Sequence, residues 1–202
     1  VGVGLERGLT HVLAPIAATV IIAATIAFLV TGRADASRAD IPVLYQVPDF
    51  TFVERSGKPF GLNDMKGKIS VVDFFFASCQ GPCPIMNADM AEMYRLYAHS
   101  DKVQFVSFTV DPDVDSLPVL KKYAERFGVT DNRWLLVRAE SKVISGFCEQ
   151  GFKVSGELPG RHSTKLILVD PQGMIRGYYD YDSETSLKLL RNNIRTLARE
   201  ME

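Results

Sequence analysis

Long apolar runs alternate with short polar turns along this chain, and the period of each run points to the element it forms. The longest run, Val12 to Val30, holds no charged residue and only threonine as a polar one. That is enough helix to cross a hydrocarbon core about 30 Å thick, so the pattern predicts a transmembrane anchor over 12–30 behind a tail over 1–11. The competing reading is a cleaved signal peptide, because Ala34 and Ala36 form an A-x-A site. Against it, the run exceeds the usual apolar region of roughly 7–15 residues. Residues 31–46 are polar with little periodicity, and Pro42 and Pro48 discourage helix, which reads as a linker into a globular domain over 47–202.

Within that domain, Phe50 and Phe52 alternate with polar neighbours before Ser56-Gly57-Lys58, the mark of a hairpin leading to Phe60. Ile69 to Ala77 is a near-continuous β-favouring run, as in a central strand covered on both faces. Pro84 to about His99 carries Ile85, Met86, Met90, Met93 and Tyr97 at helical spacing, and Val103 to Val110 is the next apolar strand. Strand, helix, strand predicts a right-handed parallel crossover. A helix over Ser116 to Phe127 ending at Gly128, a strand over Trp134 to Val137, and a pair over 165–169 and 175–181 about the Asp170-Pro171-Gln172-Gly173 turn follow. Ser183 can cap a last helix with Leu187, Leu190, Ile194 and Leu197 on one stripe. The fold class expected is α/β, a mixed sheet with helices on both faces.

Composition narrows the function. A net charge of −1 over 202 residues, with no dense run of Lys or Arg, leaves no electrostatic footprint for nucleic acid and little attraction to anionic lipid. Arg7 before the apolar span and Arg33 and Arg38 after it do not satisfy the positive-inside rule, so the side on which the domain sits has to be read from its chemistry. Three cysteines, Cys79, Cys83 and Cys148, are too few to staple a chain of this length.

The chemistry concentrates in Cys79-Gln80-Gly81-Pro82-Cys83-Pro84, where a buried strand meets a helix N-terminus. Backbone N–H groups and the helix dipole there favour thiolate over thiol, so both cysteines are expected to be reactive. Pro84 suits the first turn, where its missing N–H is no loss. Three intervening residues let the sulfurs separate to the roughly 3.8–4 Å needed by two thiolates on one metal, or close to the roughly 2 Å of a disulfide. Spacing alone leaves metal binding and redox chemistry both open. Soft thiolates with an imidazole suit Cu(I), and a dithiolate-imidazole set also holds Cu(II).

The stretch from about Val47 to Glu202 resembles the Sco/SenC family, thioredoxin-like proteins implied in delivering copper to the CuA site of cytochrome c oxidase. The resemblance rests on Pro48-Asp49-Phe50 with Gly57-Lys58-Pro59-Phe60, on Cys79-x-x-x-Cys83-Pro84, and on Val110-Asp111-Pro112 with Asp115 shortly after. It closes with His162-Ser163 followed by Leu168-Val169-Asp170-Pro171. It implies a thioredoxin-like fold, Cys79, Cys83 and His162 as copper ligands, and the copper-bearing subunit of cytochrome c oxidase as partner. It also implies one anchor with the domain on the periplasmic or extracytoplasmic side. The chain departs from the family at Gln80, where proline is common, and at Arg161, where an acidic residue is frequent. A cation beside the site disfavours a second positive charge, which bears on metal affinity.

A second resemblance is to thioredoxin with one residue inserted: Val72-Asp73-Phe74 stands six residues before Cys79, and Gly81-Pro82-Cys83 follows. On this reading the domain is a thiol–disulfide oxidoreductase, with Cys79 attacking, Cys83 resolving and Asp73 accepting the proton, served by a thioredoxin-like reductant. A buried Asp73 held by a backbone hydrogen bond is the plain alternative. No proline stands immediately before the strand at 165, where thioredoxins place one, and Phe76 stands where a peroxiredoxin has threonine. A redox or copper sensor is a third reading.

The remaining candidates have ordinary explanations. Met86, Met90 and Met93 share a helix face and read as core packing before thioether ligands, and Cys148 beside Phe147 and Phe152 reads as a small buried hydrophobe. Asp111, Asp113 and Asp115 imitate a calcium loop, but Ser116 and Lys122 stand where glycine and glutamate are required, leaving a post-strand loop. His11 and His99 receive no role.

Overall fold

The apolar runs that begin at Ile69 and Val103 become strands buried on both faces in the computed structural model, which describes residues 22–25, 41–154 and 164–202. The chain divides into two units, 1–40 and 41–202. In the first, residues 22–25 are helical. The rest of the expected span over 12–30, the tail over 1–11 and residues 31–40 of the linker lie outside the described residues. Among the described residues no helix is long and apolar enough to cross a membrane.

In the second unit, β1 (Tyr45–Gln46), β2 (Thr51–Glu54) and β3 (Pro59–Gly61) precede the short α1 (Leu62–Met65) and the central β4 (Ile69–Phe75). Then come α2 (Pro82–Leu96), β5 (Val103–Thr109), α3 (Leu117–Arg126), β6 (Trp134–Arg138), α4 (Ser141–Gly146), β7 (Lys165–Val169), β8 (Met174–Asp180) and α5 (Glu184–Glu200). The described strands form one mixed sheet in the order β1-β8-β7-β4-β5-β6-β2-β3. The expected crossover is present, with β4 parallel to β5 and β5 parallel to β6. Both tight hairpins form where the sequence places them, with Gly57 at φ 87° and Gly173 at φ 82°, a left-handed backbone that glycine adopts without strain.

Strand parity sorts the core into two layers. From β4, Ile69, Val71 and Phe75 face α2, α3 and α5, joining Met86, Met90, Leu120, Trp134 and Leu190. Val72 and Phe74 face the opposite side, with Phe60, Met65, Phe108, Phe147 and Phe152. Ser183 caps α5, its hydroxyl accepting the Ser186 N–H at 3.3 Å, and Leu187, Leu190, Ile194 and Leu197 are buried along one stripe as the spacing predicts. One feature lies outside the helical pattern: α4 runs on into a π turn over Phe147–Gly151. The wider turn sends Phe147 and Cys148 inward together, and Phe147 then meets Phe50 and Phe52 edge-on, each at 4.9 Å between ring centroids.

This topology gathers three chain segments at one end of the sheet. β4 and β5 run in the same direction, so the turns that follow them, 76–81 and 110–116, leave from the same edge. β7 runs antiparallel to β4, with Val72 opposite Ile167, so its first residue, Lys165, starts at that edge too.

Candidate functional site

The cysteine loop is held by backbone hydrogen bonds before any side chain is considered. β4 ends when Phe75 gives its carbonyl to the Val110 N–H at 2.8 Å, and the Cys79 N–H turns back to the Phe76 carbonyl at 3.2 Å. α2 then starts at Pro82, with Gly81 as its N-cap and no side-chain cap, which leaves proline in the first turn where no N–H is needed. Neither cysteine is in a disulfide; Cys79 is half-buried and Cys83 is fully buried.

The two thiols therefore differ, against the expectation that both are reactive. Burial pushes the Cys83 thiol well above its ordinary value; its hydrogen bond to Cys79 adds to the rise, and a backbone hydrogen bond at Phe76 partly opposes it. Desolvation outweighs the start of the helix, because an ion placed among Phe75, Met86 and Met90 loses its hydration. Cys79 is the accessible sulfur and Cys83 the retained one, and the bond between them puts the two sulfurs side by side.

Asp73 belongs to the same core layer by strand parity, sharing the face of Val71 and Phe75 that looks toward α2. It is 0% exposed, accepts a hydrogen bond from the Ser107 hydroxyl, and leaves its Oδ2 without a hydrogen-bond partner among the described residues. Ser107 in turn accepts the Trp134 indole N–H at 2.9 Å. Burial lifts the carboxyl from 3.8 to about 7, with the Ser107 hydrogen bond and a backbone bond pulling the other way. Its charge also raises the Cys83 thiol, so the two groups sense each other.

Other candidates fall where chemistry does not need them. Met86, Met90 and Met93 are buried in the core, as the packing reading expects. Cys148 is buried too, its thiol pushed up to about 12 by burial and by the charge of Glu149. His99 is exposed beyond α2. His162 lies outside the described residues, as does His11. Among the described residues no group of three or more His, Cys, Asp and Glu side chains could hold a metal ion.

A residue with a role the sequence did not reveal is Asp115. It is 0% exposed and accepts the Ala77 N–H at 3.0 Å from 38 positions away, which joins the loop after β5 to the cysteine loop. In sequence it appears as one residue of the family resemblance, after Val110-Asp111-Pro112, and as the last acidic position of a post-strand loop. Nothing local signals that its partner is Ala77.

Comparisons with known proteins agree with this geometry. The family model described as SCO1/SenC matches residues 42–199. The SCO1 protein homolog of Bacillus subtilis is 32% identical over 146 residues, which cover 69% of this chain and 76% of that protein. A solved SCO1/SenC family lipoprotein from Bacillus anthracis superposes with a TM-score of 0.71 at 33% identity, over 76% of this chain and 95% of its own. BsSco, a member of the Sco family of cytochrome c oxidase assembly proteins in which a disulfide switch was identified, gives 0.71 at 27% identity, over 78% and 96%. Copper-bound ScoI from Bradyrhizobium japonicum shares the fold, with a TM-score of 0.63 at 18% identity over 76% and 99%. The mixed sheet flanked by helices is thus the thioredoxin-like arrangement.

Proposed function

The chain belongs to the SCO1/SenC family, and from that premise we propose that it is a copper metallochaperone in which Cys79, Cys83 and His162 hold one copper ion for the copper-bearing subunit of cytochrome c oxidase. The observation that carries the reading is the pair of adjacent sulfurs outside any disulfide at the edge of the sheet, one half-open and one buried. Two soft thiolates fit Cu(I), and a third ligand completes a site that two sulfurs leave unsaturated. His162 stands three residues before Lys165 in the chain and is the third ligand that the family resemblance implies. The copper-bound fold relative and the oxidase-assembly relative point the same way.

On this reading copper is cargo. Loading one Cu(I) on the dithiol releases a proton from each cysteine, so apparent affinity rises with pH. Cys79 meets the incoming donor and the acceptor's ligands first, because it is the accessible sulfur, and Cys83 lets go last. The apolar run over 12–30 tethers the domain to a membrane, on the extracytoplasmic side where the oxidase copper site is assembled.

A second reading has its own support in Asp73, a buried carboxyl with a pKa of about 7 on the core face it shares with Cys83. Here the Cys79 thiolate attacks an acceptor disulfide and one acceptor sulfur leaves as thiolate. Cys83 then gives its proton to Asp73 and attacks Cys79, releasing the acceptor as a dithiol and closing the Cys79–Cys83 disulfide. A thioredoxin-like dithiol returns the pair to the reduced state.

An anaerobic Cu(I) titration of the reduced protein against a competing chelator separates the two, run beside Cys79→Ala, Cys83→Ala and His162→Ala. The chaperone reading expects one equivalent, weakened by each substitution, while H162A keeps normal disulfide exchange. Binding indifferent to His162 would discard the three-ligand site and leave the oxidoreductase.

A further inference from the structure

Asp115 spans the two loops at the working edge of the sheet through hydrogen bonds at both ends. Its Oδ2 accepts the Ala77 N–H at 3.0 Å together with the Thr109 hydroxyl proton. The Thr109 oxygen accepts the Asp111 N–H at 3.1 Å, and the Asp115 N–H returns to the Asp111 carbonyl at 2.9 Å, so the loop over 110–116 is wound around this carboxylate. Arg138 on β6 pins the same loop from outside, donating from Nη2 to the Pro112 carbonyl at 2.7 Å. The loop is therefore fixed to the sheet, and the carboxylate reaches from it to Ala77, two residues before Cys79.

That reach controls where Cys79 stands. β4 has ended by Phe75, and Ala77 is beyond the ladder. Without Asp115 its part-buried N–H loses the acceptor it has beyond the ladder, and a donor left without one favours rotation of the backbone toward water. Rotation at Ala77 displaces the Phe76–Cys79 turn, whose closing bond is the Cys79 N–H to the Phe76 carbonyl. The Cys83 backbone is held by α2, so when the turn moves it is the spacing of the two sulfurs that changes.

We propose that Asp115 is a positioning residue that sets the Cys79 sulfur against Cys83 for copper capture, a role that rests on the chaperone reading above. It touches neither sulfur; it acts through the Ala77 amide. Loss of an outer partner that orients a metal ligand typically weakens affinity by about 10–100-fold.

The test compares Asp115→Ala, Asp115→Asn and Ile194→Val with wild type, all reduced and anaerobic. Each is measured by chelator-competed Cu(I) affinity, by urea unfolding and by hydrogen exchange at the Ala77 amide. Ile194 is buried in α5 and takes no part in either loop, so I194V reports what general destabilisation does alone. D115A is expected to bind Cu(I) about 10–100-fold more weakly with faster Ala77 exchange. D115N, whose amide oxygen can take both hydrogen bonds, recovers most of the affinity, and I194V leaves it unchanged. D115A binding copper as tightly as I194V, or D115N as weak as D115A, overturns the proposal. If D115A does not fold, Thr109→Val removes the hydroxyl that orients the carboxylate and takes its place, an unchanged affinity again overturning it. Should wild type itself fail to bind Cu(I), the chaperone reading ends, and the same variants are then compared by the rate at which glutathione disulfide closes the Cys79–Cys83 bond. A D115A rate equal to that of I194V then dismisses Asp115 as a positioning residue, while a changed rate rescued by D115N upholds it.

Discussion

Replacing Asp73 by asparagine isolates a buried acid in the core layer beneath the cysteine loop. The folded state holds its carboxyl at about 7, against an ordinary 3.8. Between those two values the unfolded chain gives up a proton that the native protein keeps, so native stability falls as pH rises through the window. Below it the contribution vanishes, and above about pH 7 the loss is complete. A gap of about 3 units at about 1.4 kcal/mol each amounts to on the order of 4 kcal/mol at pH 8. Asparagine resembles the protonated acid: one oxygen accepts from Ser107 and the other position carries hydrogen without a charge. D73N is therefore expected to be more stable than wild type at pH 8. Its advantage should shrink by about 3 kcal/mol between pH 8 and pH 5, since roughly two of those units lie in that interval. Urea unfolding of the reduced, metal-free proteins at both pH values measures it, and the difference between the two proteins cancels the titration of every other group. An advantage of equal size at pH 5 and pH 8 would refute the argument, because it would mean that Asp73 does not titrate between them.

Three further outcomes follow from particular side chains. Iodoacetamide at pH 8 should label native Cys79 well before Cys83 and Cys148, since both of the latter are buried with raised thiol pKa values; mass spectrometry of short exposures reads the order, and equal rates would contradict the burial. Met90→Leu conserves volume and should change stability by less than about 1.5 kcal/mol with Cu(I) affinity intact, whereas a fall in affinity would make Met90 a ligand and not a packing residue. Ser183→Ala removes the side-chain cap of α5 and should lower the urea unfolding free energy by about 1 kcal/mol, with no effect at the cysteines; an unchanged stability would mean that the bond to the Ser186 N–H contributes nothing.

Local chemistry explains what could be read from residues alone. The β-favouring run at Ile69 becomes β4 because both of its faces need apolar cover, and Gly57 and Gly173 make turns because their positive φ suits no side chain. Ser183 caps α5 because its hydroxyl reaches an N–H within the same turn. The motif at Cys79 and Cys83 is legible for the same reason: its chemistry is contained in a few consecutive residues and the strand and helix they join. The π turn over Phe147–Gly151 was not legible, because its width answers to the aromatic cluster it fills rather than to a repeat in its own sequence.

What the amino-acid sequence determined by itself, then, was the longer elements, though not β1, α1 or α4, together with the two cysteines at a strand–helix junction and the family to which they point. Tertiary structure alone decided how those residues differ in chemistry. Cys79 and Cys83 carry identical thiols, and only the packing of α2 against β4 buries one and leaves the other half-open. Asp73 and Asp115 are both acids in or beside apolar strands, yet the first is held deep in one core layer by the Ser107 hydroxyl, while the second reaches Ala77 across two loops. Those outcomes depend on desolvation and on hydrogen bonds between residues far apart in the chain, quantities that exist only once the sheet has brought its strands together.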